Sequence, residues 1–123
     1  MRGLLLFAHG ARDPQWAAPF QVVLERVRAQ SAGPVELAFL EMMQPDLEGA
    51  IAALAGKGCT TIFIVPLFLG EGAHLKRDLP ALVEAARQRH GALHFEVSKV
   101  AGEAEPVLAA LARYCLEQAG KPV

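Results

Sequence analysis

Two histidines carry the most chemical promise in this chain, and each sits where an apolar run gives way to glycine. His9 follows Leu4-Leu5-Leu6-Phe7-Ala8 and precedes Gly10, and His74 closes the stretch Pro66-Leu67-Phe68-Leu69-Gly70-Glu71-Gly72-Ala73. Neutral imidazole is the commonest nitrogen ligand for Co, Ni, Fe and Zn, and two imidazoles with few other protein ligands leave coordination positions open. An open site suits transfer of a metal better than storage. Glu41, at the end of another apolar run, could add a carboxylate ligand or accept a proton. Arg12, Lys76 and Arg77 flank the same loops, where guanidinium and ammonium groups could pair with carboxylates of a ligand. Gly70 and Gly72 are loop signals beside them and candidate substrate contacts. They do not make a nucleotide loop, because Gly70-Glu71-Gly72 lacks the lysine and the serine or threonine of a P-loop and is not GxGxxG. No nucleophile elbow or Ser-His-Asp order occurs either.

Residue type alone leaves bland alternatives for each. A histidine after a strand can be a turn residue satisfied by backbone, charged rim residues are ordinarily solvated, and Glu41 could serve the helix that Pro45 opens. His90 is explained as a charge at a helix C-terminus and His94 as a strand-start residue.

What must position these groups is legible from periodicity. Leu4–Ala8 reads as a strand covered on both faces. Trp16, Phe20, Val23, Leu24 and Val27 fall at helical spacing, predicting a helix from about Gln15 to Gln30 with Asp13 near its N-cap. Ser31-Ala32-Gly33-Pro34 breaks the chain before a second strand, Val35–Leu40. A helix starting at Pro45 follows, with the stripe Leu47, Ala50, Ile51 and Leu54, until Gly56-Lys57-Gly58. Thr60–Val65 is the strongest strand signal, β-branched and aromatic throughout. A third helix begins between His74 and Asp78 and closes at His90-Gly91, a short strand covers His94–Val97, and a fourth helix runs from about Glu103 to Ala119.

Four βα units with no linker and no internal repeat predict one α/β domain over residues 1–123, an open parallel four-stranded sheet with helices on both faces. Right-handed crossovers favour the strand order second, first, third, fourth, with a topological switch point between strands one and three. Ligands bind outside the carboxyl ends of the strands at such a point, and those two ends carry His9 and the loop to His74.

Composition agrees with one core. The 123 residues are 53% apolar, yet no run approaches the roughly 20 apolar residues of a membrane span. With 12 basic and 13 acidic residues and no block of like charge, neither a nucleic-acid arm nor an acidic tail is indicated, and no membrane partner is expected. The amino terminus runs straight into a strand without a secretory h-region, so a soluble cytoplasmic protein is expected. Cys59 and Cys115, without CxxC spacing, are expected to be small buried apolar residues.

His9-Gly10-Ala11-Arg12-Asp13-Pro14, then Phe39-Leu40-Glu41 with Pro45 just after, then Val65-Pro66-Leu67-Phe68-Leu69 leading to Gly72-Ala73-His74-Leu75 and Asp78-Leu79-Pro80, together resemble the small sirohydrochlorin chelatases, the short CbiX-type members of the class II chelatases. Three separated motifs agree in order. The resemblance implies ATP-independent insertion of a divalent metal, Co, Ni or Fe, into sirohydrochlorin, on the way to cobalamin, a nickel tetrapyrrole or sirohaem. The metal is then a substrate and no permanent cofactor is expected. His9 and His74 match the family's metal-binding histidines, and Glu41 matches its strand-two acid. The ring's peripheral carboxylates would meet Arg12, Lys76 and Arg77, and one imidazole or Glu41 would accept pyrrole protons. Larger members contain two such halves, so a homodimer is expected, with Leu67-Phe68-Leu69 as a candidate contributor to the interface. Ala11 stands where the family often has serine, and Ala73 where it often has a second glycine. A non-catalytic metal or tetrapyrrole carrier is the competing expectation, and a flavodoxin-like domain with packing histidines is the third.

Overall fold

The computed structural model of the protein describes residues 1–70 and 72–122, with the side chains of Ala73 and His74 outside the described set. Its sheet is the open parallel one that the sequence predicts. Strands β1 (Arg2–Ala8), β2 (Val35–Phe39), β3 (Thr61–Pro66) and β4 (His94–Val97) lie in the order β2-β1-β3-β4. β1 is the inner strand of the pair of registers Leu4↔Val35 to Ala8↔Phe39 and Arg2↔Thr61 to Phe7↔Pro66. β4 closes the other edge, from Thr61↔His94 to Ile64↔Val97.

The period-two alternation of β1 divides the apolar interior into two layers. Leu5 and Phe7 face a cluster with Ile62, Ile64 and Phe95, covered by helices α2 (Leu47–Gly56) and α3 (Ala73–Arg89). Leu6 and Ala8 face a second cluster with Val35, Leu37 and Phe39, covered by α1 (Ala18–Gln30). Each fully buried Leu, Ile or Phe stabilises such a layer by about 1.5–3 kcal/mol relative to exposure. The continuous apolar run of β1 is thus explained by cover on both sides.

Local chemistry sets the helix starts, and it moves several of them from their predicted positions. Asp13 accepts a hydrogen bond from the Gln15 amide at 2.9 Å and opens a 3-10 turn over Pro14–Ala17. The α-helix proper then begins at Ala18 instead of Gln15, because Pro19 belongs in a first turn. Likewise α2 begins at Leu47 rather than Pro45, since Asp46 is its N-cap and accepts from the Gly49 amide at 2.8 Å. β2 ends at Phe39, one residue early. α3 starts at Ala73, just before the predicted window.

The fourth helix, α4 (Glu105–Ala119), departs most from expectation. It forms, but none of its residues is fully buried. Its apolar stripe of Val107, Leu108, Leu111, Tyr114 and Cys115 stays largely open. Cys115 is therefore exposed, against the expectation of two buried cysteines, while Cys59 is buried as expected. On the α1 side of the sheet, Phe63 and Val65 are only partly covered and His94 and Glu96 are exposed. Arg2 instead lies over the Phe63 ring, 4.4 Å from its centroid.

Candidate active site at the carboxyl ends of the strands

The parallel ladder continues past the strand ends and thereby builds the rim. The Leu40 and Glu41 amides donate to the carbonyls of Ala8 and His9 at 2.9 and 3.1 Å, and the Leu67 amide donates to Phe7 at 2.8 Å. His9, one residue beyond β1, is thus held between the segment leaving β2 and the segment leaving β3. Its Nδ1 lies 3.7 Å from Glu41 Oε1, with the two side chains 51% and 49% exposed. That is ion-pair distance rather than a short hydrogen bond. On the other side the imidazole meets Phe68 edge-on, 6.1 Å between centroids, and Phe68 stands edge-on to Phe7 at 6.0 Å. A buried aromatic therefore sets one wall of the imidazole and a carboxylate sets the other.

Gly10 is what lets these segments meet. Its φ is +95°, and a Cβ there would lie 1.9 Å from the Glu41 carbonyl oxygen, so no other residue fits without separating the His9 turn from Glu41. After Glu41 the chain folds back on itself. The Met43 amide donates to Glu41 at 2.8 Å and the Phe39 amide to Pro45 at 2.9 Å, with Met42 in the left-handed region at φ +65°. A recess of about 280 Å³ opens beside this loop, lined by Arg12, Met42, Met43 and Gln44 among others. The segment after β3 has its own support. The Gly102 amide donates to Phe68 at 2.8 Å, and Gly102 lies so close to Leu69 that a Cβ would overlap the Leu69 carbonyl.

The predicted residues are brought together only in part. His9 and Glu41 are adjacent, and Arg12 lines the neighbouring recess. His74 is the second residue of α3, and its side chain lies outside the described residues, as does the whole of Glu71. Gly70 and Gly72 are exposed, and the Lys76 amide donates to the Gly72 carbonyl at 3.1 Å to start α3. Lys76 and Arg77 are exposed on its first turns, with Arg77 Nε 3.9 Å from Asp78 Oδ1. Among the described residues no three His, Cys, Asp or Glu side chains form a metal-holding group. His90 caps α3 and contacts Glu48 Oε2 at 2.8 Å, and His94 is exposed at the start of β4.

Three positions escaped the sequence reading. Phe68 belongs to the apolar loop assigned to an interface, but it is buried against His9 and only Leu69 of that loop is open. Met42 falls outside the strand and helix spacings, and its left-handed φ of +65° belongs to the turn the chain makes after Glu41. Gly102 had no local signal, because its requirement comes from the Leu69 carbonyl, which lies 33 positions earlier in sequence.

Comparison with known proteins agrees with this architecture. A sirohydrochlorin cobaltochelatase of Saccharolobus islandicus (strain L.S.2.15 / Lassen #1) is 36% identical over 83 residues, 68% of this chain. The match spans 64% of that relative's own length, less than two thirds. One from Methanothermobacter thermautotrophicus is 33% identical over 81 residues, covering 66% of this chain and 57% of the relative. Among solved structures, a chain described as a cobalamin (vitamin B12) biosynthesis CbiX protein of Marinobacter aquaeolei VT8 superposes with a TM-score of 0.88 at 26% identity, over 99% of this chain and 100% of that one. The sirohydrochlorin chelatase SirB of Bacillus subtilis subspecies spizizenii, in complex with cobalt, gives 0.81 at 29% identity, over 94% of this chain but 50% of SirB. The CbiX family profile matches residues 3–118, and with that near-complete coverage the chain belongs to the CbiX family.

Proposed function

We propose that this chain is an ATP-independent chelatase that inserts a divalent metal, cobalt foremost among Co, Ni and Fe, into sirohydrochlorin for cobalamin or sirohaem-type tetrapyrrole biosynthesis. The observation that carries the reading is the pairing of His9 with Glu41 at the carboxyl ends of β1 and β2, in a chain of the CbiX family. The relatives named as sirohydrochlorin cobaltochelatases support the same substrate and metal.

The chemistry follows from the rim. With Nδ1 turned toward Glu41 and the Gly10 carbonyl, 3.7 and 3.4 Å away, the opposite edge of the His9 ring offers Nε2 to the metal. His74, at the mouth of α3, is the second ligand in this reading. Insertion exchanges one divalent cation for two pyrrole N–H protons, so a base must stand beside the metal. Glu41 is placed for that role. Arg12, Lys76 and Arg77 pair with peripheral carboxylates of the macrocycle, and Gly70 and Gly72 give its edge room at the loop. The metal is substrate: ring nitrogens would enter at its open coordination positions, and the imidazoles would then be released.

The active form in this proposal is a homodimer of one α/β domain, residues 1–123, in the cytoplasm, without nucleic-acid or membrane partners. No helix among the described residues is long and apolar enough to cross a membrane. Support for the second copy comes from two sides. The stripe on α4 is an apolar surface left in large part exposed among the described residues, and SirB is about twice the length of the part this chain matches. Leu69 is a further exposed apolar residue at the rim.

The test is an anaerobic absorbance time course with sirohydrochlorin in large excess over protein, supplied with Co(II), Ni(II) or Fe(II). Multiple turnovers above the protein-free rate establish the chelatase and rank the metals. Saturation at one equivalent per site makes the protein a carrier, and no acceleration with any metal overturns the reading.

A further inference from the structure

We infer that Met42 and Leu69 form a two-point apolar seat for the face of the tetrapyrrole, one on each side of His9. The inference rests on the chelatase reading and identifies what holds the ring over the metal. Both segments that touch His9 continue in the same way. Glu41, at 3.7 Å from the imidazole, is followed by Met42, which is 58% exposed. Phe68, edge-on to the imidazole at 6.1 Å, is followed by Leu69, which is 69% exposed.

An isolated exposed apolar side chain needs no explanation, but Met42 is held outward at a conformational cost and Leu69 by a close backbone contact. Met42 is the non-glycine residue with a left-handed backbone, φ +65°, among the described residues, a conformation unfavourable for a side chain of its kind. Leu69 is fixed by Gly102, which packs against its carbonyl so tightly that no side chain fits, and which also binds the Phe68 carbonyl. On the far side, Gly10 packs against the Glu41 carbonyl in the same manner. Each apolar side chain therefore follows a backbone position clamped by a distant glycine. A strained backbone at Met42 and a clamped one at Leu69, each exposing apolar surface beside His9, point to binding rather than to folding.

The occupant is an amphipathic macrocycle with an apolar face and an anionic edge. Met42 lines the same recess as Arg12, so apolar contact and a guanidinium for a peripheral carboxylate lie side by side. Leu69 offers a bare metal ion no donor atom and Met42 only a soft thioether, and a purely polar anion has no use for the apolar pair.

The experiment measures sirohydrochlorin binding to metal-free protein by absorbance titration, alongside Co(II) binding and thermal unfolding, for wild type, Met42→Gly, Leu69→Gln and the conservative Leu69→Met. Removing one well-covered apolar side chain is expected to weaken sirohydrochlorin binding about tenfold in Met42→Gly and in Leu69→Gln. Leu69→Met is expected to bind as wild type does. Co(II) binding stays unchanged in all three, and Met42→Gly unfolds at the wild-type temperature or above, because glycine accepts φ +65° freely. A purely structural role for Met42 predicts a loss of stability instead, which overturns the seat. Wild-type sirohydrochlorin affinity in both Met42→Gly and Leu69→Gln overturns the seat while leaving the chelatase reading standing. Failure of the wild type itself to bind sirohydrochlorin overturns both.

Discussion

Substituting Gly10 by alanine tests how the site is assembled. The new Cβ would lie 1.9 Å from the Glu41 carbonyl oxygen, so the His9 turn and the Glu41 segment must separate by more than an ångström. The backbone must also keep φ +95°, which costs an L side chain about 1–3 kcal/mol. Separation stretches the 3.1 Å hydrogen bond from the Glu41 amide to the His9 carbonyl, worth about 1 kcal/mol net. Together these destabilise the domain by about 2–4 kcal/mol, and for a chain of this length the thermal midpoint should fall by roughly 10 °C. Gly56→Ala is the matched control. Gly56 ends α2 with nothing near its missing Cβ, so alanine there should leave stability unchanged or raise it by about 0.5 kcal/mol. Circular dichroism on heating and in urea reads both variants. A Gly10→Ala midpoint within about 2 °C of wild type would refute the close approach and with it the argument that Gly10 joins His9 to Glu41.

Other perturbations separate chemistry from scaffold. His9→Ala and His74→Ala should each lower the rate of metal insertion about a hundredfold or more while circular dichroism shows an intact fold, and full activity in either removes that histidine from the mechanism. Glu48→Ala removes the carboxylate that meets His90 at 2.8 Å and Arg89 at 3.4 Å, so urea titration should show a loss of about 1 kcal/mol with insertion kinetics unaltered. Leu111→Glu places a charge in the open stripe of α4, and sedimentation should report a shift from dimer to monomer; an unchanged sedimentation profile in a folded variant excludes that face from the interface.

The order of the elements and the parallel sheet were legible before any tertiary contact was known. Those features rest on local periodicity and on crossover handedness, which a run such as Leu4–Ala8 or a stripe such as Leu47, Ala50, Ile51 and Leu54 expresses within a few turns of chain. Helix starts were legible only to within a few residues, because Asp13 and Asp46 compete with the prolines beside them for the capping position. His9 and Glu41 were both visible as chemical groups. Their 3.7 Å separation was not, since it depends on the β1–β2 register and on Gly10 admitting the Glu41 carbonyl. Tertiary structure alone decided that Phe68 turns inward against His9 while Leu69 turns out, and that Gly102 must be glycine. It also decided that α4, amphipathic in sequence like α2, has no fully buried residue among those described. Periodicity reports that a face is apolar, but what packs against that face depends on where the rest of the chain has already gone.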